Sequence, residues 1–259
     1  MKIAVVTGAS SGMGRDFVLQ LDASEPFDEI WAIALEEGLL GELQQHVRAR
    51  IRFFAMDFSD RQSLNRYETA LREEHPDVAV LVNASGFGIF KAFEQTPLDR
   101  MYGMIDVNAR AMMGMTYLTL PYMQAGSCIY NMGSGSSFQP TPYALIYGAT
   151  KAFALSFSRG LNVELHNSGR GIRVMAVCPL WVKTNFFKTA VSDKTISYFS
   201  KWVESADVVK KALHDMKRGK DISILGFNMQ MQVLGVKLFP TKLVMRIWCK
   251  QQKQGQQKS

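Results

Sequence analysis

Tyr147 and Lys151 stand four residues apart in a segment, residues 147–165, whose apolar periodicity predicts a helix. Four residues is just over one helical turn, so a phenol and an ammonium emerge one above the other on the same face. The stretch Ser134-Gly135-Ser136-Ser137 precedes them and closes an apolar run, Cys128–Met132, that reads as a buried strand. A strand-end hydroxyl, a phenol and a lysine can together move a proton on or off an oxygen. Free tyrosine, with a pKa of about 10, is a poor proton donor and acceptor near neutrality. A neighbouring ammonium stabilises the phenolate and lowers that value.

Short β-branched runs alternate with longer amphipathic stretches along the chain. Strands are predicted at residues 2–6, 29–34, 51–56, 78–82, 127–132, 172–178 and 221–225. Helices are predicted between them at 12–23, 39–50, 60–74, 97–123, 147–167 and 206–217. Thr96-Pro97 reads as an N-cap with proline at N1, and Ser205 precedes the last of these helices. Most of the strands are apolar throughout, as parallel strands covered on both faces are. Seven βα repeats with right-handed crossovers make an α/β fold, one doubly wound, Rossmann-like seven-stranded parallel sheet with helices on both faces. The expected division is a single domain over residues 1–226 and a basic C-terminal extension over 227–259.

The chain of 259 residues suits a large core, and its 47% hydrophobic and 20% charged residues are those of a globular protein. Its three cysteines, Cys128, Cys178 and Cys249, are far apart, which predicts reduced thiols in a cytoplasmic protein and no metal site. The sequence enters its first strand at once, which leaves no room for a signal peptide, and no run is long enough for a transmembrane helix. The net charge of +7 belongs largely to the tail: beyond Asp221 there is no acid and there are six bases, from Lys237 to Lys258. The main body is close to neutral, which argues against a nucleic-acid protein.

Between the first strand and first helix lies Thr7-Gly8-Ala9-Ser10-Ser11-Gly12-Met13-Gly14. Glycines there allow a tight turn and a close approach to a ligand, and the unpaired N–H groups of the helix start suit a pyrophosphate. At the first βα turn this points to dinucleotide binding. An oxidised nicotinamide would add its positive charge to that of Lys151 in favouring the Tyr147 phenolate. A basic residue near the end of the second strand normally meets the 2′-phosphate of NADP, whereas here the strand runs into Glu36 and Glu37. Ser11 occupies the turn and Arg15 lies beyond the last glycine, so the expectation is NAD(H) over NADP(H).

The TGxxxGxG turn resembles that of the short-chain dehydrogenase/reductase (SDR) family, and further landmarks follow in the family's order. Asp57 and Phe58 end the third strand, where the family contacts adenine; Asn83-Ala84-Ser85-Gly86 is similar to N-N-A-G; Asp106-Val107-Asn108 carries the family's helix asparagine. Ser134 precedes Tyr147 by thirteen residues, Tyr147 to Lys151 matches YxxxK, and Pro179 to Thr184, with Val182, resembles P-G-x-V-x-T. The resemblance implies an oxidoreductase with an Asn108, Ser134, Tyr147 and Lys151 tetrad. In it Tyr147 is the general acid or base, Ser134 holds the substrate oxygen, Lys151 also binds the nicotinamide ribose, and Asn108 holds a water leading from Lys151 to solvent. It also implies cofactor contacts from Gly8, Ser10, Ser11, Gly12, Met13, Gly14, Glu36, Asp57, Phe58, Asn83, Ala84, Ser85, Pro179, Val182 and Thr184, and a homodimer or homotetramer. Two positions depart from the pattern: Ala84 replaces the second asparagine, and Leu180 replaces the glycine after Pro179, adding bulk near the nicotinamide.

The rim beyond Pro179 is aromatic, with Trp181, Phe186, Phe187, Tyr198, Phe199 and Trp202, and Phe87 and Phe90 follow the fourth strand. These aromatics read either as the packing of a short lid helix or as a pocket wall, and as a wall they predict a hydrophobic ketone or secondary alcohol, steroid-like or acyl-type. In the tail, Pro240 interrupts two apolar runs, which reads as a segment packed over the cleft or on a partner subunit. Alternatives are a membrane-surface protein using the basic tail and a non-catalytic dinucleotide-binding redox sensor.

Overall fold

The computed structural model describes residues 1–35, 41–186, 190 and 202–251. Seven strands form one parallel sheet: β1 (Lys2–Thr7), β2 (Glu29–Ala34), β3 (Arg50–Ala55), β4 (Asp77–Asn83), β5 (Cys128–Met132), β6 (Arg173–Val177) and β9 (Ile222–Ser223). Their order is β3-β2-β1-β4-β5-β6-β9, so the winding reverses between β1 and β4. Two short strands, β7 (Val182–Lys183) and β8 (Val203–Glu204), pair separately.

Strand alternation divides the core in two. Ala4, Val6, Val80, Val82, Tyr130 and Met132 face one side, where the helices Gly12–Ser24 and Ser205–Lys217 pack. Ile3, Val5, Leu81, Ile129 and Val174 face the other, against Tyr67 and Leu71 of the helix Leu64–Glu74, Met115 of Met112–Thr119 and Leu165 of Leu145–Asn167. With both faces covered, the strands must be apolar at successive positions.

The expected helix over 97–123 is three pieces: Leu98–Ile105, a π-helical stretch Asp106–Ala111, and Met112–Thr119. Pro97 is the residue before the first turn, with ψ 138°, and not its first helical residue. The expected helix over 39–50 is one turn, Gly41–Gln44, among the described residues, and the last strand is two residues long. The helix expected from Asp60 starts at Leu64, because the Asp60 side chain accepts from the Gln62 N–H and makes a turn instead. Beyond β9 the chain makes two further helices, Phe227–Leu238 and Thr241–Gln251. Among the described residues no helix is long and apolar enough to cross a membrane.

Candidate active site

All the parallel strands end on one edge, and the sequence-selected groups gather there. At the end of β1, Gly8 (φ +66°) and Gly12 (φ +52°) take left-handed conformations, and a Cβ on Gly14 would collide with the Gly8 carbonyl. Thr7 is buried, and its hydroxyl accepts from the N–H groups of Ala84 and Ser85, both at 3.0 Å. This joins the ends of β1 and β4 at the point where the winding reverses, the position at which doubly wound sheets open a crevice. Ser11 precedes the Gly12–Ser24 helix without a side-chain cap, so the first amides of that helix are open to an anion. Ser10 and Met13 are half-buried in the same turn, and the Thr184 side chain lies beside Gly12. Loops after β1 and β6 thus form one groove whose bare backbone fits a dinucleotide pyrophosphate.

Several selected residues do other work with their side chains. Asn83 donates to Asn131 (2.8 Å) and Thr116 (3.2 Å) inside the core, and Asn131 continues to Ser158. The Asn83 N–H groups are therefore spent between β4, β5 and the helices behind them, while its Oδ1 is buried without a hydrogen-bond partner among the described residues. Ala84 packs against the core, so the turn after β4 is held by its backbone amides on the Thr7 hydroxyl and not by its own side chains. Phe58 is buried in the core cluster around Tyr67, and its carbonyl accepts from Arg110 at 2.6 Å. Asp57 is exposed, with its carboxylate accepting from Ser59. Pro179 is buried and its carbonyl accepts from the Gly135 N–H at 2.7 Å, while Val182 is buried in β7. Leu180 reaches Gly135 beside Met229, so its bulk faces the pocket beyond Ser134. Glu36 and Glu37 lie outside the described residues, as do Phe187, Tyr198 and Phe199.

The proton-handling group is compact. Ser134 starts a short 3-10 turn, Gly135–Phe138, with an extended backbone. Its hydroxyl accepts from the Ser136 N–H (3.2 Å), which leaves its own O–H to donate. Ser137 accepts from the Ser134 N–H and donates to the Lys151 carbonyl at 2.7 Å, tying the loop to the helix. Sequence reasoning missed Ser137; the only signal was its place in a serine-rich loop. The Tyr147 ring is enclosed by Phe90 and Phe186, each with ring centroids at 5.4 Å. A Cβ on Gly88 would crowd the same ring, which requires glycine there.

Lys151 is 5% exposed, its ammonium donates to the Met132 carbonyl at 2.8 Å, and it lies 5.8 Å from the Tyr147 ring centre. Burial lowers its pKa to about 8. Burial pushes Tyr147 up to about 12, with the Ser134 hydroxyl pulling the other way. The expectation that Lys151 lowers the phenol is therefore not met by the protein groups alone: desolvation wins, and the ammonium is directed at a carbonyl. Asn108 also differs. Its amide donates to the Phe87 carbonyl (2.9 Å) and Thr150 (3.1 Å) and accepts from the Phe87 N–H (3.0 Å). Both its side-chain N–H groups are engaged, and the residue locks the Gly86-Phe87 turn to the Leu145–Asn167 helix. The π-helical stretch carrying Asn108 is the kind of irregularity found at functional sites.

A family model described as short chain dehydrogenase matches residues 2–195. The chain belongs to that family. It is 31% identical over 194 residues to sulfoacetaldehyde reductase 2 of Chromohalobacter salexigens, covering 71% of this chain and 74% of that one. It is also 31% identical over 194 residues to the very-long-chain 3-oxoacyl-CoA reductase of Anas platyrhynchos, covering 71% of this chain and 61% of that one. A short-chain dehydrogenase from Sphingobium yanoikuyae, solved in complex with NADPH, superposes with a TM-score of 0.76 at 25% identity, covering 95% and 96% of the two chains. This short-chain dehydrogenase is an oxidoreductase of a family that acts on CH–OH and carbonyl groups with a nicotinamide dinucleotide. Among the described residues no cluster of His, Cys, Asp or Glu could hold a metal ion.

The buried amine makes a prediction about stability. A lysine whose folded pKa is lowered from 10.5 to about 8 binds fewer protons folded than unfolded across that window. Its contribution to stability therefore rises as pH rises from about 8 to about 10.5, by up to about 3 kcal/mol. Urea unfolding of the wild type and of Lys151→Met over that range should show this gain in the wild type and its absence in the variant. Parallel curves would mean the ammonium is well solvated.

Proposed function

We propose that the protein reduces a hydrophobic ketone to its secondary alcohol, and reverses that reaction, with Tyr147 handling the proton. The observation that carries this reading is the pocket beginning at Tyr147 and Ser134. It is narrow, with about 50 Å³ of free space, and among the described residues no charged residue lines it. Phe90, Leu180, Trp181, Met229, Val233 and Trp248 supply its apolar walls. Among the described residues a sulfonate there would be a buried charge without a partner, so a substrate like sulfoacetaldehyde does not suit this lining. An acyl chain does. Ser136 offers a hydroxyl that is buried at the pocket without a hydrogen-bond partner, suited to a second substrate oxygen.

Bound at the glycine turn, the dinucleotide supplies or accepts the hydride; Gly8, Gly12 and Gly14 with the open helix amides suit its pyrophosphate, and Lys151 its ribose. The Ser134 O–H is placed to hold the substrate oxygen, and Tyr147 to give it a proton. With its pKa pushed to about 12, the phenol is protonated at neutral pH, the form that reduction needs. Tyr147→Phe should lower kcat about 10²–10⁴-fold while leaving dinucleotide binding near wild type. Ketone-dependent loss of nicotinamide absorbance at an unchanged rate in that variant would refute the mechanism.

For the cofactor we propose NAD(H) over NADP(H), because Glu36 and Glu37 follow β2 directly and would repel a 2′-phosphate. At equal concentrations NADH should support faster turnover than NADPH. A large advantage for NADPH, the ligand of the Sphingobium relative, would reverse the assignment.

Self-association as a homodimer or homotetramer is proposed through the helices Leu98–Ile105 and Met112–Thr119. There Leu98, Tyr102, Ile105, Met113 and Tyr117 leave a large apolar face exposed. Light scattering should give a multiple of the 29.1 kDa chain, and Tyr117→Glu should lower it. A monomer at micromolar concentration would rule the assembly out.

A further inference from the structure

The helix Phe227–Leu238 is apolar on two opposite sides. Its inner side, Met229, Val233 and Val236, closes the pocket. Its outer side carries Phe227, Met231, Leu234 and Leu238, spaced by four, three and four residues and therefore in one stripe. Phe227 and Leu238 are both 73% exposed. The following helix carries a covered and an exposed apolar pair on adjacent faces. Val244 and Trp248 face inward, where the Trp248 ring N–H donates to the Pro142 carbonyl at 3.1 Å, and Leu243 and Ile247 face outward. Lys242, Arg246 and Lys250 recur every four residues beside that outer pair. Among the described residues none of the three has an ion-pair partner, and the chain has no acid beyond Asp221 to offer one.

An apolar stripe left exposed among the described residues, on two helices that carry bases and no acid, has two kinds of occupant to consider. A second copy docked on it by a two-fold axis would bring the same bases against each other, since a two-fold contact sets a patch on its own image. An anionic lipid surface satisfies both features, with acyl chains for the stripe and headgroups for the bases. We propose that the two C-terminal helices dock this protein on an anionic membrane surface. A second cavity, lined by Val236, Phe239, Val244 and Ile247 and also by Gln139, Gln232 and Gln251, lies between the same two helices and the body. Docking itself does not depend on the reductase reading; entry of a lipophilic substrate from the bilayer would.

The test is sedimentation of the full chain with vesicles of equal parts phosphatidylglycerol and phosphatidylcholine, and with phosphatidylcholine alone. The wild type should pellet with the mixed vesicles, stay in solution with the neutral ones, and be released by high salt. Lys242→Glu with Arg246→Glu should lower the partition by roughly tenfold or more. Leu234→Glu with Leu238→Glu, at exposed positions that line neither cavity, should do the same without changing the circular dichroism or the oligomeric state. Failure of the wild type to pellet with the mixed vesicles, or equal pelleting of the variants, would overturn the proposal. So would a fall in oligomeric state in Leu234→Glu with Leu238→Glu, which would make the stripe a contact between copies.

Discussion

Burying a lysine at the edge of a parallel sheet is the constraint around which this structure is arranged. An amine taken out of water needs a partner, and the Met132 carbonyl at the end of β5 provides it. The helix Leu145–Asn167 must then sit in one register against β5, and Ser137 holds it there through the Lys151 carbonyl. Space around the amine is set by glycines: a Cβ on Gly86 would press on Lys151 and Asn108, and one on Gly133 on the Cys178 sulfur. With the helix so placed, Tyr147 falls one turn away, between Phe90 and Phe186. The position of the phenol is thus a consequence of where the amine can be buried.

The cofactor side and the pocket side are built by different means. The groove at the end of β1 is made of backbone: positive-φ glycines, open helix amides and two N–H groups held by Thr7. Backbone geometry of this kind tolerates little change, because a Cβ added at Gly8 or Gly14 meets another main chain. The pocket is made of side chains, several of which, Met229, Val233, Val236 and Trp248 among them, come from the two C-terminal helices far along the chain from Ser134. Tyr143, with φ +67°, turns the loop beneath those helices, and Trp248 bonds the adjacent Pro142 carbonyl. Such walls can be resized without disturbing the groove, which separates substrate choice from hydride and proton chemistry.

Most of the sheet was legible in the sequence because a strand buried on both faces has to be apolar at successive positions, and β2 falls where that pattern puts it. The glycine turn was legible for a similar reason, since few residues other than glycine accept its conformations. The division of the 97–123 helix at Asp106 was not, because a π-helical turn changes hydrogen bonding without changing apolar periodicity. Where the side chains of Asn83 and Phe58 go was likewise not legible from their position in a motif. Their neighbours Asn131 and Tyr67 come from other elements, and those contacts turn the amide and the ring into the core.

The sequence by itself determined the fold class, the family and the set of groups able to move a proton, because each is written in spacing along one segment. The tertiary structure decided what those groups experience. Burial, and not the neighbouring ammonium, dominates the Tyr147 pKa, and the Asn108 amide is committed to Phe87 and Thr150. Leu180 faces the pocket, and the tail has an inner face for the cleft and an outer face turned to solvent. Desolvation and hydrogen-bond allocation depend on which distant segments meet, and no local pattern carries that information.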